Sequence, residues 1–373
     1  MFYDVVIIGA GPAGASAGYW LAQAGVKTAL VDRSSFPREK LCGGLLTSKT
    51  VDMLRTILLA EDMPRYGVTA THVFYNDQPT ASFQLLSEAY TVRRLQFDAA
   101  LVTAAEKQGV HPYLGASLQT IDFTRKEACL SDGHRLQYST LIGADGALST
   151  VRRLAGLPRN EMGFCVESHV PWELLKNHDR IQTGGIEIYY GNFSAGYGWI
   201  FPCEDSVAVG VGNLAQSMSG KEILAQYHRF LADVLTGDGM RPAGAYLPSG
   251  TSIALGTPLC EDMCLIGDAA GLIDPFTGEG IYYALLSGKM ASEAIITGRP
   301  PRPEYERRMK RHISMIRDTV QIRNRIYSPA VLKHSLDFMR TAAGYSEQLI
   351  DETIVRYAKT YTDAYEEIKY YSR

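Results

Sequence analysis

The sequence predicts an α/β protein: a Rossmann-like domain, a mainly β domain inserted into it, and a C-terminal helical segment. Three observations carry that expectation. First, an apolar run from Val5 to Ile8 feeds into the turn Gly9-Ala10-Gly11-Pro12-Ala13-Gly14, and a small-residue stretch to Ala24 follows; the order is strand, glycine turn, helix. Second, two later apolar runs end the same way, one before Gly143-Ala144-Asp145-Gly146 and one, Met263 to Ile266, before Gly267-Asp268. Third, Val68 to Val92 and Cys165 to Gly212 alternate as strands do.

The first turn has the parts of a dinucleotide site. Gly9 supplies a tight turn, Gly11 lets backbone approach a pyrophosphate, and Gly14 with Gly18 lets the helix lie close to the strand. The helix start offers free N–H groups and partial positive charge to phosphates. A second apolar run ends at Asp32, where a carboxylate can accept from a ribose diol. The motif alone does not separate one dinucleotide from another.

With 373 residues, 46% of them hydrophobic, the chain can build one large or two ordinary domains. A net charge of −3, with both signs mixed along the chain, gives no electrostatic case for nucleic acid. The six cysteines lack CxxC spacing and the eight histidines are dispersed, so neither a disulfide framework nor a metal site is expected. The glycine turn sits so near Met1 that no signal peptide is expected before it, and no apolar run approaches membrane-spanning length. The expectation is a cytoplasmic protein, peripheral to a membrane at most.

Taken in order, the segment Arg33 to Thr47 holds too much glycine, proline and charge for a strand and reads as a loop. In it, Cys42 followed by Gly43 and Gly44 can bring a thiol close to a flat cofactor, or can be an inert thiol in a glycine turn. A helix is expected from Ser48 to Leu59, then sheet to Val92. Arg94, Phe97 and Asp98 open the next helix, with Asp98 favoured by the helix dipole; Arg94 reads equally as an anion contact or a solvated arginine. Short strands fill Tyr113 to Tyr138, with Asp132-Gly133 as a hairpin turn, and Ser149 to Arg153 starts a short helix. Alternation puts Tyr197, Trp199 and Phe201 on one strand face that Pro202 ends. Helices are expected over Lys221 to Leu235 and Ile281 to Ile296, and Pro300, Pro301 and Pro303 end that unit. The remainder to Arg373 is charged, helical and rich in tyrosine, including Tyr357, Tyr361, Tyr365, Tyr370 and Tyr371.

Taken together, these motifs resemble FAD-dependent oxidoreductases of the p-hydroxybenzoate hydroxylase-like fold, and within them the geranylgeranyl reductase family. The resemblance covers roughly residues 1 to 300. Its most specific carriers are Phe36, Pro37, Arg38, Lys40, Cys42, Gly43 and Gly44, and the set Tyr197, Trp199, Phe201 and Pro202. The resemblance implies a discontinuous FAD-binding domain over 1–67, 94–160 and 256–300. A substrate domain would take 68–93 and 161–255, and a helical region 301–373.

It also implies site residues. Gly9, Gly11, Pro12, Ala13, Gly14, Asp32 and Arg33 would hold the ADP half of FAD, with Arg94 and Asp145 near the cofactor. Gly267 and Asp268 would meet the ribityl or pyrophosphate region, and Gly278, Gly280 and Ile281 would set a helix start beside the flavin pyrimidine. Cys42, Gly43, Tyr197 and Trp199 would flank the flavin on the substrate side. The implied reaction is saturation of C=C bonds in a polyprenyl chain. An isolated prenyl double bond is not electrophilic, so hydride delivery needs a nearby acid and an aromatic wall for cationic character; Cys42, Tyr197 and Trp199 are the candidates. The substrate would be a hydrophobic isoprenoid or lipid, which leaves peripheral membrane contact open. The electron donor, whether NAD(P)H, ferredoxin or a quinol, and the oligomeric state are not legible. A flavin monooxygenase, a flavin halogenase and a non-enzymatic flavin protein are the alternatives.

Overall fold

Strand β1 (Phe2–Ile8) is buried along its second half on both faces. That explains why its sequence is a continuous apolar run without alternation. It lies parallel between β2 (Thr28–Asp32) and β9 (Arg135–Gly143). Beyond them, β6 (His111–Leu114) pairs with β2 and β15 (Met263–Leu265) with β9, again in parallel. The antiparallel β7 (Leu118–Asp122) and β8 (Glu127–Leu130) complete this sheet. The register brings the C-terminal ends of β1, β9 and β15 side by side: the Ala144 amide donates to the Ile8 carbonyl (2.7 Å) and the Ile266 amide to the Gly143 carbonyl (2.9 Å). Three motifs far apart in sequence thus meet at one end of the sheet, beyond the C-terminal ends of its parallel strands.

The computed structural model describes residues 1–58, 62–176, 179–193, 196–213, 218–237, 241–257 and 260–327. Among these, a second sheet runs in the order β14 (Ala243–Pro248), β10 (Met162–Val170), β13 (Val207–Asn213), β12 (Gly196–Pro202), β11 (Gly185–Tyr190), β4 (Tyr66–Tyr75), β5 (Gln78–Thr91) and β3 (Leu45–Leu46). One face packs Val166, Ile200, Val209 and Val211 under helix α6 (Gly220–Val234), against Tyr227 and Phe230. The other carries Val68, Ala89, Trp199, Phe201 and Ala208 and is tied to the first sheet by contacts described below.

Helix α1 (Pro12–Gln23) packs against α3 (Arg94–Lys107) and α7 (Ile281–Ile296). Small residues make the last contact possible: a Cβ on Gly288 would lie 2.7 Å from the Ala13 carbonyl oxygen, and Ser292 donates to the Ala17 carbonyl. Both α3 and α7 start where the sequence places them.

Other boundaries differ from expectation. Helix α2 is Ser48–Leu54 and stops short of Leu59, which lies outside the described residues. Helix α4 is the short Thr150–Leu154, and a further turn, α5, covers Asp179–Gln182. The prolines after Ile296 separate two helices, for α8 (Pro301–Ile326) begins on Pro301; a helix's first turn does not need the missing N–H. Helix α8 packs on α7 and buries Tyr305, Met309 and Ile316. The terminal tyrosines Tyr357, Tyr361, Tyr365, Tyr370 and Tyr371 lie outside the described residues.

Candidate active site

The glycine turn is shaped by contact as much as by conformation. Gly9 adopts φ +106°, and a Cβ there would sit 2.3 Å from the Ala144 carbonyl oxygen at the end of β9. A Cβ on Gly14 would lie 1.8 Å from the Gly9 carbonyl oxygen, while one on Gly18 would press on Val110 and Ile7. Gly11 differs: its one near neighbour is Arg38, at 3.7 Å from the imagined Cβ. Gly11 therefore faces open space, as a backbone that receives a ligand must. It is also the cap of α1, with Pro12 following, no side-chain cap and no acid in the first turn. The amides of that turn are open to an anion.

Asp32 accepts from the Ala10 amide on one oxygen and from the Ser34 amide on the other, each at 2.8 Å. Each oxygen keeps a second lone pair for a diol, and Arg33 beside it is exposed. The Asp145 carboxylate is turned into the start of α4. It accepts from the Ser149 hydroxyl and from the amides of Thr150 (2.6 Å) and Val151 (3.1 Å). Burial raises its pKa against these hydrogen bonds. Its side chain is engaged in a cap, so a cofactor contact here would fall to the backbone of the loop.

At the end of β15, Gly267 (φ +55°) would press a Cβ onto Ala13 at 2.9 Å, and its amide donates to Ser287 on α7. Asp268 is enclosed by protein while part of its surface stays open, the condition of a group lining a cavity. Burial raises its pKa, with Lys40 and Arg94 opposing. Gly278 (φ +74°) and Gly280 lead into Ile281 and the uncapped start of α7; a Cβ on Gly280 would lie 3.4 Å from Asp268 Oδ1. Glu279 accepts from Thr47 and Thr50 and pairs with Lys49 at 2.6 Å, which fixes this helix start to α2.

Arg94 is neither a solvated arginine nor an unpaired anion contact. It is buried and donates bidentately to Asp98, at 2.7 and 2.8 Å. Asp98, fully buried, also pairs with Arg38 at 3.2 Å. It is a core counter-ion, and charge pairing rather than the helix dipole explains its place. Burial would lower the Arg94 pKa, but Asp98 and Cys42, each through charge and a hydrogen bond, together outweigh it and raise it. This arginine is thus a charged floor under the Cys42 loop.

The two glycines after Cys42 are needed by that loop's own packing. A Cβ on Gly43 would sit 2.7 Å from the Phe201 ring and 3.2 Å from Trp199 Nε1, and one on Gly44 (φ +71°) would lie 2.0 Å from the Val92 carbonyl oxygen. Cys42 itself is half-buried, its sulfur accepting from the Gly44 amide at 3.4 Å. The loop is therefore pressed onto the aromatic strand.

On β12, Tyr197, Trp199 and Phe201 do share a face, with ring centroids 5.8 and 6.4 Å apart. Tyr197 donates to the Thr277 carbonyl across the molecule, which ties the second sheet to the Gly267–Gly280 segment. Trp199 lies over two glycines of β13: a Cβ on Gly210 would be 2.3 Å from Cζ2, and one on Gly212 3.2 Å from Cζ3.

Sequence reasoning missed Glu167. This carboxyl on β10 is buried and accepts from Trp199 Nε1 at 2.9 Å and from the Cys42 backbone. Burial pushes it up to about 7, with Trp199, the Cys42 amide and Arg93 opposing. Its near neighbours include His169, whose Nε2 is 3.8 Å from Oε1, and Cys165, pushed up to about 12 by burial and then by Glu167. An acid inside Cys-Val-Glu-Ser-His was the available signal, but alternation says nothing about which face is covered.

Residues 2–183 match the family model described as an FAD binding domain. The chain is 32% identical to menaquinone reductase from Mycobacterium tuberculosis over 321 residues, 78% of this chain and 76% of that protein. It is 30% identical to geranylgeranyl diphosphate reductase from Rhodobacter capsulatus over 311 residues, 79% of this chain and 75% of that one. A geranylgeranyl bacteriochlorophyll reductase-like protein from Thermoplasma acidophilum shares the fold, with a TM-score of 0.79 and 21% identity over 96% of this chain and 95% of that one. Fold and comparisons define an FAD-dependent oxidoreductase. Within that class, the chain belongs to the geranylgeranyl reductase family. No helix among the described residues is long and apolar enough to cross a membrane.

Proposed function

We propose that the protein saturates C=C bonds of a polyprenyl chain. The observation that carries this reading is the seating of the Cys42 loop against the Tyr197, Trp199 and Phe201 face, on the side of the molecule where Asp268 and the α7 start meet. A thiol, an aromatic wall and dinucleotide groups are thereby gathered into one region. The names of the two bacterial relatives support the reading, since menaquinone and geranylgeranyl diphosphate both carry polyprenyl chains.

The residues present fit FAD. Gly11 and the amides of the α1 start would take its pyrophosphate, Asp32 its ribose and Asp268 its ribityl chain, while the α7 start would face the pyrimidine edge. When bound and reduced, FAD supplies the hydride. Everything else falls to the chain. Cys42 would give the proton to the second alkene carbon, and Arg94 would offset the charge left on sulfur. The rings of Tyr197 and Trp199 would line the prenyl path and steady developing positive charge, and the apolar face would keep water away.

The test is to incubate the FAD-loaded, dithionite-reduced protein with geranylgeranyl diphosphate and, separately, with menaquinone. Products gaining two hydrogens per saturated bond support the reading, and the substrate that reacts identifies the head group. If neither is reduced and the flavin is not reoxidised by either, the reading fails. Replacing Cys42 by Ala should stop alkene saturation while FAD stays bound.

A further inference from the structure

We infer that Arg323, near the C-terminal end of α8, receives an anionic head group, a phosphate or diphosphate, on the prenyl substrate. The inference rests on the reading of the protein as a prenyl reductase and deepens it, since it selects phosphorylated isoprenoids over quinones.

Among the described residues, Arg94, Arg152 and Arg323 are buried. The first two have their donors met. Arg94 lies against Asp98, and Arg152 donates from Nε to the Pro158 carbonyl, from Nη1 to the Ala269 carbonyl and from Nη2 to the Ser252 carbonyl. Arg323 differs from both. It is 6% exposed, its Nη1 donates to the Ser249 carbonyl at 2.7 Å, and its Nε is buried without a partner. Arg302 and Arg308 also leave Nε without a hydrogen bond, but Glu306 and Glu293 pair with their guanidinium groups at 2.7 and 2.8 Å. No carboxylate among the described residues is paired with Arg323 in this way.

A guanidinium keeps its charge at any working pH. Taken out of water without a counter-ion it is costly, and a buried donor without an acceptor adds to the cost. An anion arriving at the Nε edge removes both. That edge presents the N–H groups of Nε and Nη2 as a fork, the shape that two phosphate oxygens match. Burial lowers the Arg323 pKa, with Tyr327 and then Glu161 opposing. Neither of these neighbours neutralises it at contact. Glu161 is exposed and accepts from the Thr251 hydroxyl at 2.7 Å, and the Tyr327 phenol, held protonated by burial, donates to the Phe276 carbonyl at 2.7 Å.

An aromatic path joins this charge to the candidate active site. Tyr327 follows Arg323 by one helical turn, its amide donating to the Arg323 carbonyl at 3.1 Å. The Tyr327 ring centroid lies 5.4 Å from that of Phe276 and 6.4 Å from that of Tyr190. Tyr190 is 5.7 Å from Tyr197, and Tyr197 is 5.8 Å from Trp199, the ring that meets Gly43 beside Cys42. Rings therefore run without a break from the Cys42 loop to α8. The support of Arg323 is fixed to the same region: a Cβ on Gly250, next to Ser249, would lie 2.8 Å from Pro275 in the loop that leads into α7. A prenyl chain lying along these rings would bring its reacting bond to Cys42 and its head to Arg323. A phosphorylated head supplies the missing counter-charge, and a quinone does not.

The experiment uses FAD-loaded protein, in which the cofactor already fills its own pyrophosphate site. The first readout needs no turnover. Inorganic diphosphate should raise the melting temperature of the wild type by binding the folded state, more than sodium sulfate does at equal ionic strength, and Arg323→Met should lose that rise. The second readout compares three substrates with the same chain on dithionite-reduced protein: geranylgeranyl diphosphate, a geranylgeranyl glycerophosphate ether and geranylgeraniol. In Arg323→Met the preference for the phosphorylated substrates over the alcohol, as a ratio of kcat/KM, should fall by at least about tenfold, mostly through KM. Whichever phosphorylated substrate loses more identifies the source of the head group, a free diphosphate or a phospholipid. Should Arg323→Met fail to fold, Arg323→Lys, which keeps the charge but not the fork, should show a smaller rise and a weakened preference. The site is overturned if diphosphate stabilises the wild type no more than sulfate, if the variant keeps the full rise, or if its preference for phosphorylated substrates is intact. The two readings separate cleanly. Reduction of all three chains with no preference that Arg323 controls overturns the head-group site alone. A wild type that reduces none of them, yet is stabilised by diphosphate through Arg323, overturns the prenyl reading and leaves the anion site standing.

Discussion

Single residues in this protein owe their identity to what lies opposite them. Gly9, Gly14 and Gly43 would each drive a side chain into backbone or an aromatic ring, but Gly11 would not. That contrast gives a prediction. Gly11→Ala should fold like the parent, because its Cβ meets nothing nearer than Arg38 at 3.7 Å. FAD affinity should nevertheless fall by about tenfold, about 1.4 kcal/mol, because the methyl occupies the space the pyrophosphate needs. Thermal melting of the flavin-free protein and a fluorescence titration with FAD would show the split. Equal losses in both, or none in affinity, would remove Gly11 from the cofactor site.

At the scale of elements, β12 and β13 behave as a matched pair. Val207, Val209 and Val211 give one face of β13 to the α6 core, and Ala208, Gly210 and Gly212 leave the other face bare enough for the Trp199 indole. Gly210→Ala should therefore cost about 1–3 kcal/mol through overpacking, since the new methyl would stand 2.3 Å from the ring. Urea unfolding should show that loss, with red-shifted tryptophan emission and impaired prenyl reduction, while FAD remains bound. Unchanged emission would mean that the indole does not rest there. Helix α6 shows the opposite kind of legibility. Its capping box, Ser219 with Glu222, is readable in the sequence as S-x-x-E and fixes the start at Gly220, one residue before the expected Lys221.

Over the whole molecule, two sheets meet at a seam fastened by Tyr197 to Thr277 and by Glu167 to the Cys42 loop. A carboxyl buried in that seam makes stability depend on pH. Its folded pKa, about 7, lies above the ordinary 4.5. The folded protein thus binds this proton more tightly than the unfolded chain, so the stabilisation present at low pH is lost as pH rises from 4.5 through about 7. Relative to the wild type, Glu167→Gln should gain about 3 kcal/mol between about pH 4 and about pH 8. His169 is common to both proteins and largely cancels in the difference. Urea titrations across that range check it, and a difference that stays flat with pH would show that the carboxyl is not buried as described.

The linear sequence determined the elements whose signals are local. The glycine turn with its strand and helix, the starts of α3 and α7, and the shared face of Tyr197, Trp199 and Phe201 all follow from periodicity and residue type over a few positions. Convergence of the three glycine-ended strands was legible through the motifs' resemblance to a known family. Partnership across the chain was not. No local pattern announced that Ser149, Thr150 and Val151 would occupy the Asp145 carboxylate, and Asp98 read as a dipole partner where the fold sets Arg94 and Arg38 against it. Glu167 is the clearest case: an acid in an alternating strand reads the same whether its face meets solvent or a tryptophan. Only folding, by removing water and placing Trp199 and Cys42 on its oxygens, turned that ordinary glutamate into a group that holds a proton near neutrality.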